Sequence, residues 1–261
     1  MNTLIHSDAG LSVGRTAAAY LTEIRYEFLR VVRNPALGLP IVLVPVALYV
    51  LIALAVAGEA IDKDANLGVF LFSGFAVLGI TMPSLFTIGG TLAIEREMGL
   101  LRLRRAQPAP AGSWLVAKIV CGMALSLCAY LPMVAIGVAA GKIPLEPGQI
   151  AGMSIALLAG SIPFCALGIM VGSLVKGSAA TGYANLIYLP GCYLSGLFFP
   201  LPQSMHWQAP FWPQFHVNQL AMHAAGITKY QFIPLQMAIG ALVGFTVLFS
   251  AVAIWRLARR G

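Results

Sequence analysis

Charge is what this sequence has least of. Only 10% of its 261 residues are charged and 9 are acidic, against about 25% charged residues in an ordinary soluble domain. A soluble chain of this length needs a charged outer surface that this one cannot supply. Cysteine is scarce as well. The four cysteines, all inside apolar runs, show neither a pairing pattern nor metal-ligand spacing, and they read as small buried hydrophobes. A nucleotide-binding P-loop is missing too. That device needs Gly-x-x-x-x-Gly-Lys followed by Ser or Thr, whereas Gly141-Lys142 is followed by Ile143. The chain does not bind ATP in that way, and no cofactor is expected in it.

What the chain does have is apolar length: 59% of its residues are hydrophobic. The 16 basic residues leave a net charge of +7, but they fall in short clusters between apolar runs rather than in one patch. That argues for membrane orientation and against a nucleic-acid partner. The charges also delimit the spans, placing them at about 37–57, 67–94, 115–140, 149–174, 178–199 and 231–255. Lys118 marks the start of the third, and Pro200, Pro202, Pro210 and Pro213 end the fifth. Each run reaches the roughly 20 residues that cross the hydrocarbon, and helix is the state that pairs every backbone group in lipid. The expected fold is an all-α membrane protein of six transmembrane helices, with residues 1–36 as a cytoplasmic leader and 37–261 as the membrane domain. The first apolar run begins near Leu37 behind a polar stretch, so no cleaved signal is expected.

Loop charge sets the orientation. With the N-terminus inside, 13 basic residues are cytoplasmic, and only Lys63, Lys142 and Lys229 lie outside. Both termini are then cytoplasmic. Within the leader, Ala17, Tyr20, Leu21, Ile24, Phe28, Val31 and Val32 follow helical spacing on one face, with Thr22, Glu23, Tyr26, Arg30 and Arg33 on the other. Such a helix is expected to lie in the cytoplasmic interface with its arginines toward lipid phosphates.

The most informative segment lies between the second and third spans. Glu95, Arg96 and Glu97 run a helix into the cytosol; Met98, Gly99, Leu100, Leu101, Arg102, Leu103, Arg104 and Arg105 follow, and Pro108 and Pro110 stop it. Ser113 is placed to cap the next helix. Four basic and two acidic residues in so short a stretch exceed what orientation requires, and a protein-docking surface explains both signs of charge.

Glu95-Arg96-Glu97-x-Gly99-Leu100-Leu101, then Pro108, then Ala117-Lys118, resembles the type-2 ATP-binding-cassette exporter permeases. In that family the run reads roughly E-R-E-x-G-T-L-E-x-L-x-x-x-P, followed by G-K. Gly196-Leu197-Phe198-Phe199-Pro200 resembles the family's G-x-x-F-P turn at the outer end of the fifth helix. The six spans, the leader and the long loop before the last helix match as well. The basic run from Arg102 to Arg105 and Ala117 depart from the family pattern. The resemblance implies a half-transporter that pairs with a second permease copy and binds two cytosolic ATPase subunits, which carry ATP and Mg. Glu95, Arg96, Glu97, Met98, Gly99, Leu101, Arg102, Arg104 and Arg105 would then couple ATPase motion to transport. It also implies that helices two and five line the pathway. There Thr81, Ser84, Thr87 and Thr91, and Thr181, Asn185 and Tyr188, sit at helical spacing. A neutral path edged by hydroxyls and aromatics suits an amphiphilic or glycosidic cargo, and a bacterial inner membrane follows from the family.

Other readings are weaker. The expected spans enclose no Asp, Glu, Lys or Arg, Lys118 being counted as a boundary, which disfavours an ion-coupled carrier. No strong internal repeat supports an inverted-repeat carrier, and no Ser-His or Asp-Asp pair at depth supports an intramembrane enzyme. A receptor-like or structural membrane subunit demands no chemistry and stays as the alternative. His206, His216 and His223 lie in one external segment without a carboxylate or cysteine, so packed or exposed side chains are expected there rather than a metal site. Gly137/Gly141, Gly168/Gly172 and Gly240/Gly244 each suggest close helix approach.

Overall fold

A computed structural model describes residues 13–101, 103, 110, 112–177 and 179–260. Among these residues the chain is helical throughout, with no strand. Ten helices follow in order: α1 (Val13–Val32), α2 (Pro35–Leu48), α3 (Gly58–Lys63), α4 (Ala65–Glu97), α5 (Ser113–Ala139), α6 (Pro147–Gly160), α7 (Ile162–Leu174), α8 (Ala180–Leu194), α9 (Pro213–Ala225) and α10 (Leu235–Arg260). α2 continues as a wider helix over Tyr49–Val56, where Ala57 N–H reaches back to the Ile52 carbonyl. Pro40 and Pro45 lie inside α2, and the rings remove two backbone donors from it.

Five helical stretches are long and apolar enough to cross a membrane: Gly38–Val56, Ala65–Glu97, Ser113–Ala139, Pro147–Leu174 and Leu235–Arg259. They correspond to expected spans one, two, three, four and six. The fifth does not reach that length. α8 has 15 residues, about 22 Å at helical rise. It carries Pro190 and ends before Gly196, whose φ of 71° turns the chain. The fourth stretch is two helices rather than one, broken at Ser161 before Pro163.

α4 is the axis of the fold. Almost every residue from Gly68 to Leu92 is buried, against α2, α5, α7 and α8. By contrast, α10 packs on α7 and α9 and leaves Val243, Val247, Leu248, Ile254 and Trp255 exposed. Apolar side chains exposed on this scale suit lipid rather than water. Between α8 and α10, α9 starts at Pro213 and closes at Gly226, with Val217 and Ala221 fully buried, as its residue pattern predicts.

Of the three glycine pairs, Gly168/Gly172 brings backbones together. A Cβ at Gly168 would lie 2.8 Å from the Leu85 carbonyl oxygen, and one at Gly172 2.8 Å from that of Gly89. At Gly137 a Cβ would meet the side chains of Ile143 and Tyr49, while Gly240 and Gly244 face open space. Gly168→Ala should therefore cost about 1–3 kcal/mol through overpacking. Gly240→Ala should be neutral or stabilising by up to about 1 kcal/mol. Thermal unfolding in detergent separates the two signs.

Candidate functional site: a buried ion cluster and a cavity at the end of α4

The C-terminal end of α4 carries the residues singled out for coupling. The helix stops at Glu97 because Gly99, with φ of 73°, takes the left-handed turn, and helical structure resumes at Leu100. Leu101 is buried with Ile88, Leu92, Cys165 and Ile169, so it fastens the resumed helix to the bundle. Met98 and Leu103 are exposed. Arg102, Arg104 and Arg105 lie outside the described residues. Ser113 is already the first residue of α5 and is buried; Gly112 occupies the cap position, with φ of 84°.

Glu95 does not face outward. Its side chain is 2% exposed, and its Oε1 accepts from Lys118 Nζ at 2.9 Å and from Arg30 Nη1. Lys118 is itself 1% exposed, and its ammonium also donates to Glu27 Oε1 at 2.7 Å and Thr91 Oγ1 at 3.2 Å. All three of its protons are thereby used. Two carboxylates and two cations thus form one compact cluster that ties α1 to α4 and α5. Its charges cancel, which is what permits them to be buried.

This cluster corrects two expectations. Lys118 does not mark the edge of the third span but is a buried residue on α5, and Glu95 is buried on α4, so ionisable groups do lie within the membrane helices. Arg30 turns toward Glu95 rather than standing on an outward polar face. Glu27 was not assigned to a site by sequence reasoning. A signal was present: Ile24, Glu27 and Val31 share helical spacing, so one carboxylate interrupts the inward-facing stripe.

Arg96 and Glu97 make a second connection. Arg96 Nη2 donates to the Val175 carbonyl at 2.7 Å, and Glu97 Oε2 accepts from Gly177 N–H at 2.9 Å. Both contacts grip the turn between α7 and α8. A displacement of the α4 end therefore has a direct route to α8, the helix carrying Thr181, Asn185 and Tyr188.

The hydroxyls proposed for a pathway divide into two groups. Thr81 donates to the Val77 carbonyl and meets Tyr188 Oη at 2.7 Å; both side chains are buried. Ser84 meets Ser126 at 3.2 Å, and both bond to the Ile80 carbonyl. These contacts join helices. Among the described residues the buried Thr87 hydroxyl has no hydrogen-bond partner. Only Thr91, Thr181 and Asn185 of the seven meet at a cavity, about 380 Å³ in volume, between the α1–α2 junction, α4 and α8. Arg30 forms part of its wall.

The opposite end of α4 is held by ordinary ion pairs, Lys142 with Asp62 and Lys229 with Asp64. Lys229 keeps the Asp64 carboxyl below its usual range. In the segment after α8, His206, His216 and His223 each reach a backbone carbonyl through Nε2: those of Leu201, Pro210 and Ile233. Burial lowers the pKa of His216. Among the described residues no group of His, Cys, Asp and Glu side chains has the arrangement of a metal site.

The comparisons agree with this architecture. Residues 19–232 match the family described as ABC-2 type transporter, which covers most of the chain, all but the last helix and the first residues. The Bacillus subtilis (strain 168) protein YvfS, whose name describes a transport permease, is 25% identical over 193 residues, covering 73% of this chain and 78% of that protein. Permeases of this family typically work with an ATPase subunit. With its apolar helices and the match from α1 to beyond α9, the chain belongs to the ABC-2 type transporter family of membrane permeases.

Proposed function

We propose that this chain is the membrane-spanning half of an ATP-driven exporter, paired with a second copy and powered by two separate cytosolic ATPase subunits. The observation that carries the reading is the end of α4. Arg96 and Glu97 bond to the turn that leads into α8, beside a cavity edged by Thr91, Thr181 and Asn185. An ATPase pressing on residues 95–107 would move that cavity's wall. α8, extended by the segment up to Phe199, serves as the fifth of six spans, and the basic asymmetry keeps both termini in the cytoplasm of a bacterial inner membrane. α1 lies at the cytoplasmic interface: Leu21, Phe28 and Val32 are exposed while Glu27 and Val31 are buried in the protein. The cargo is amphiphilic or glycosidic, and the chain itself is not an enzyme.

The test is co-purification. Tagged permease, co-expressed with its cognate cytosolic ATPase, should elute with that ATPase at two copies of each, and ATP hydrolysis should respond to cargo. A permease that elutes without the ATPase, from membranes containing both, contradicts the reading and favours a non-transport membrane subunit.

A further inference from the structure

The cavity between the α1–α2 junction, α4 and α8 has a division of chemistry that the transport reading leaves unused. Its apolar wall is formed by Ile41, Met82, Phe86 and Ile94, and its polar side by Asn34, Thr91, Thr181 and Asn185. Among the described lining residues Arg30 is the one that carries a charge. Its side chain is 38% exposed, and among the described residues its ion pairs are made through Nη1, to Glu95 and, at 3.7 Å, to Glu27. A guanidinium has five donors in a planar fork, so Arg30 has donors left for a ligand while it holds Glu95. Thr181 and Asn185, four residues apart on α8, add neutral hydrogen-bonding groups. Gly90 keeps the floor low: a Cβ there would meet nothing within 4 Å except Thr181 Oγ1, at 3.8 Å.

We propose that this cavity binds an amphiphile with one anionic group, a phosphate or a carboxylate. Arg30 holds the anion, Thr181 and Asn185 bond to the headgroup, and the first part of the chain lies on Met82, Phe86 and Ile94. The inference names a cargo class and so rests on the transport reading, although binding is measurable without the ATPase. A volume of about 380 Å³ is within the usual range for small-ligand pockets and takes a headgroup with the start of a chain. Charge balance explains why one anionic group suits the site. Arg30 and Lys118 are already matched by Glu27 and Glu95, so an arriving anion takes spare guanidinium donors but competes with Glu95 for its charge. A multiply charged headgroup would find no second charged side chain among the described lining residues. Because Glu95 begins the coupling segment, the same competition would report cargo binding to the end of α4.

The opposing roles of Arg30 and Glu95 give a test with opposite signs. Purified permease in discs of zwitterionic lipid is titrated with a short-chain fluorescent phosphatidic acid and with the matched diacylglycerol. The acid should bind about tenfold more tightly, as expected for a charge-assisted contact. Arg30→Gln should remove that preference, and Glu95→Gln should increase it, because the carboxylate no longer competes. Gly90→Leu should block both probes by filling the floor. Arg33→Gln, an exposed change beyond the cavity, should leave the preference intact. Glycerol 3-phosphate, the headgroup without a chain, should compete about a hundredfold more weakly than the lipid because it buries no apolar surface. Equal preference in Arg30→Gln and wild type, or equal loss in Arg33→Gln, would mean diffuse surface charge and overturn the proposal. Competition by glycerol 3-phosphate as strong as the lipid's would overturn the amphiphile assignment and mark a soluble-anion site. A permease that fails these titrations but still co-purifies with its ATPase refutes the cargo class alone.

Discussion

Lys118→Met should destabilise the permease by about 3–5 kcal/mol, because it leaves Glu27 and Glu95 buried around a lost cation. The ammonium is 1% exposed and bonds to both carboxylates and to Thr91, so no water replaces it without opening the packing among α1, α4 and α5. Arg30 still reaches Glu95, which leaves Glu27 as the more poorly compensated charge. Adding Glu27→Gln to Lys118→Met should therefore recover part of the loss, a coupling that a double-mutant cycle measures directly. Lys142→Ala is the control. It breaks a pair with Asp62, whose side chain is 65% exposed, and should cost only about 0.2–1 kcal/mol. Thermal unfolding in one detergent compares wild type, Lys118→Met, Glu27→Gln, the double variant and Lys142→Ala. If Lys118→Met and Lys142→Ala unfold together, the cluster is not buried as described.

Glu97→Ala should have the opposite profile, with little effect on stability and a large effect on function. The side chain is exposed, and its described hydrogen bond is to Gly177 N–H. Its loss costs on the order of 0.5–1 kcal/mol, as for a solvent-exposed hydrogen bond. Yet that bond, with the one from Arg96 to Val175, is how the end of α4 grips the turn leading to α8. On the proposed mechanism Glu97→Ala should cut cargo-stimulated ATP hydrolysis by about tenfold or more, equivalent to about 1.4 kcal/mol of lost coupling. Recovery of the ATPase with the permease should stay near that of wild type. Glu97→Gln keeps an acceptor and should retain much of the stimulation. Equal stimulation in Glu97→Ala and wild type would mean that this bond does not transmit the movement.

Much of the helix pattern could be read directly, because charged residues punctuate this chain so sparsely. Five of the expected spans coincide with long apolar helices to within a few residues, and α9 begins at Pro213 and closes at Gly226, residue types that mark helix ends. The shortness of α8 was not legible from charge, since no charged residue occurs between Lys176 and Lys229. Gly196, in a left-handed turn, ends the helical stretch sooner than the prolines beyond it suggest. The ion cluster was hidden for a different reason. Reading α1 as an amphipathic helix sorts residues by polarity, and such sorting sends Arg30 outward. Only the position of Lys118, one helix away, shows that Glu27 and Glu95 point inward to a shared partner. The hydroxyl stripe on α4 likewise gave spacing without partners. Tyr188 and Ser126 bond to Thr81 and Ser84, leaving Thr91 to reach the cavity with Thr181 and Asn185.

The most direct test of the account concerns residues 95–107 as the place where an ATPase engages. Arg102, Arg104 and Arg105 are changed together to Glu, and the cognate ATPase is recovered by pull-down at low and at raised salt. Lys142→Ala and Lys229→Ala, at the other end of α4, serve as controls. Insertion and dimerisation should be normal, ATPase recovery markedly lower with the triple change, and recovery full with both controls. Raised salt should weaken the wild-type complex too, since exposed ion pairs are screened over about 8–10 Å at such ionic strengths. Recovery that is the same in the triple variant and the controls would show that the segment only orients the chain in the membrane, and would contradict the account.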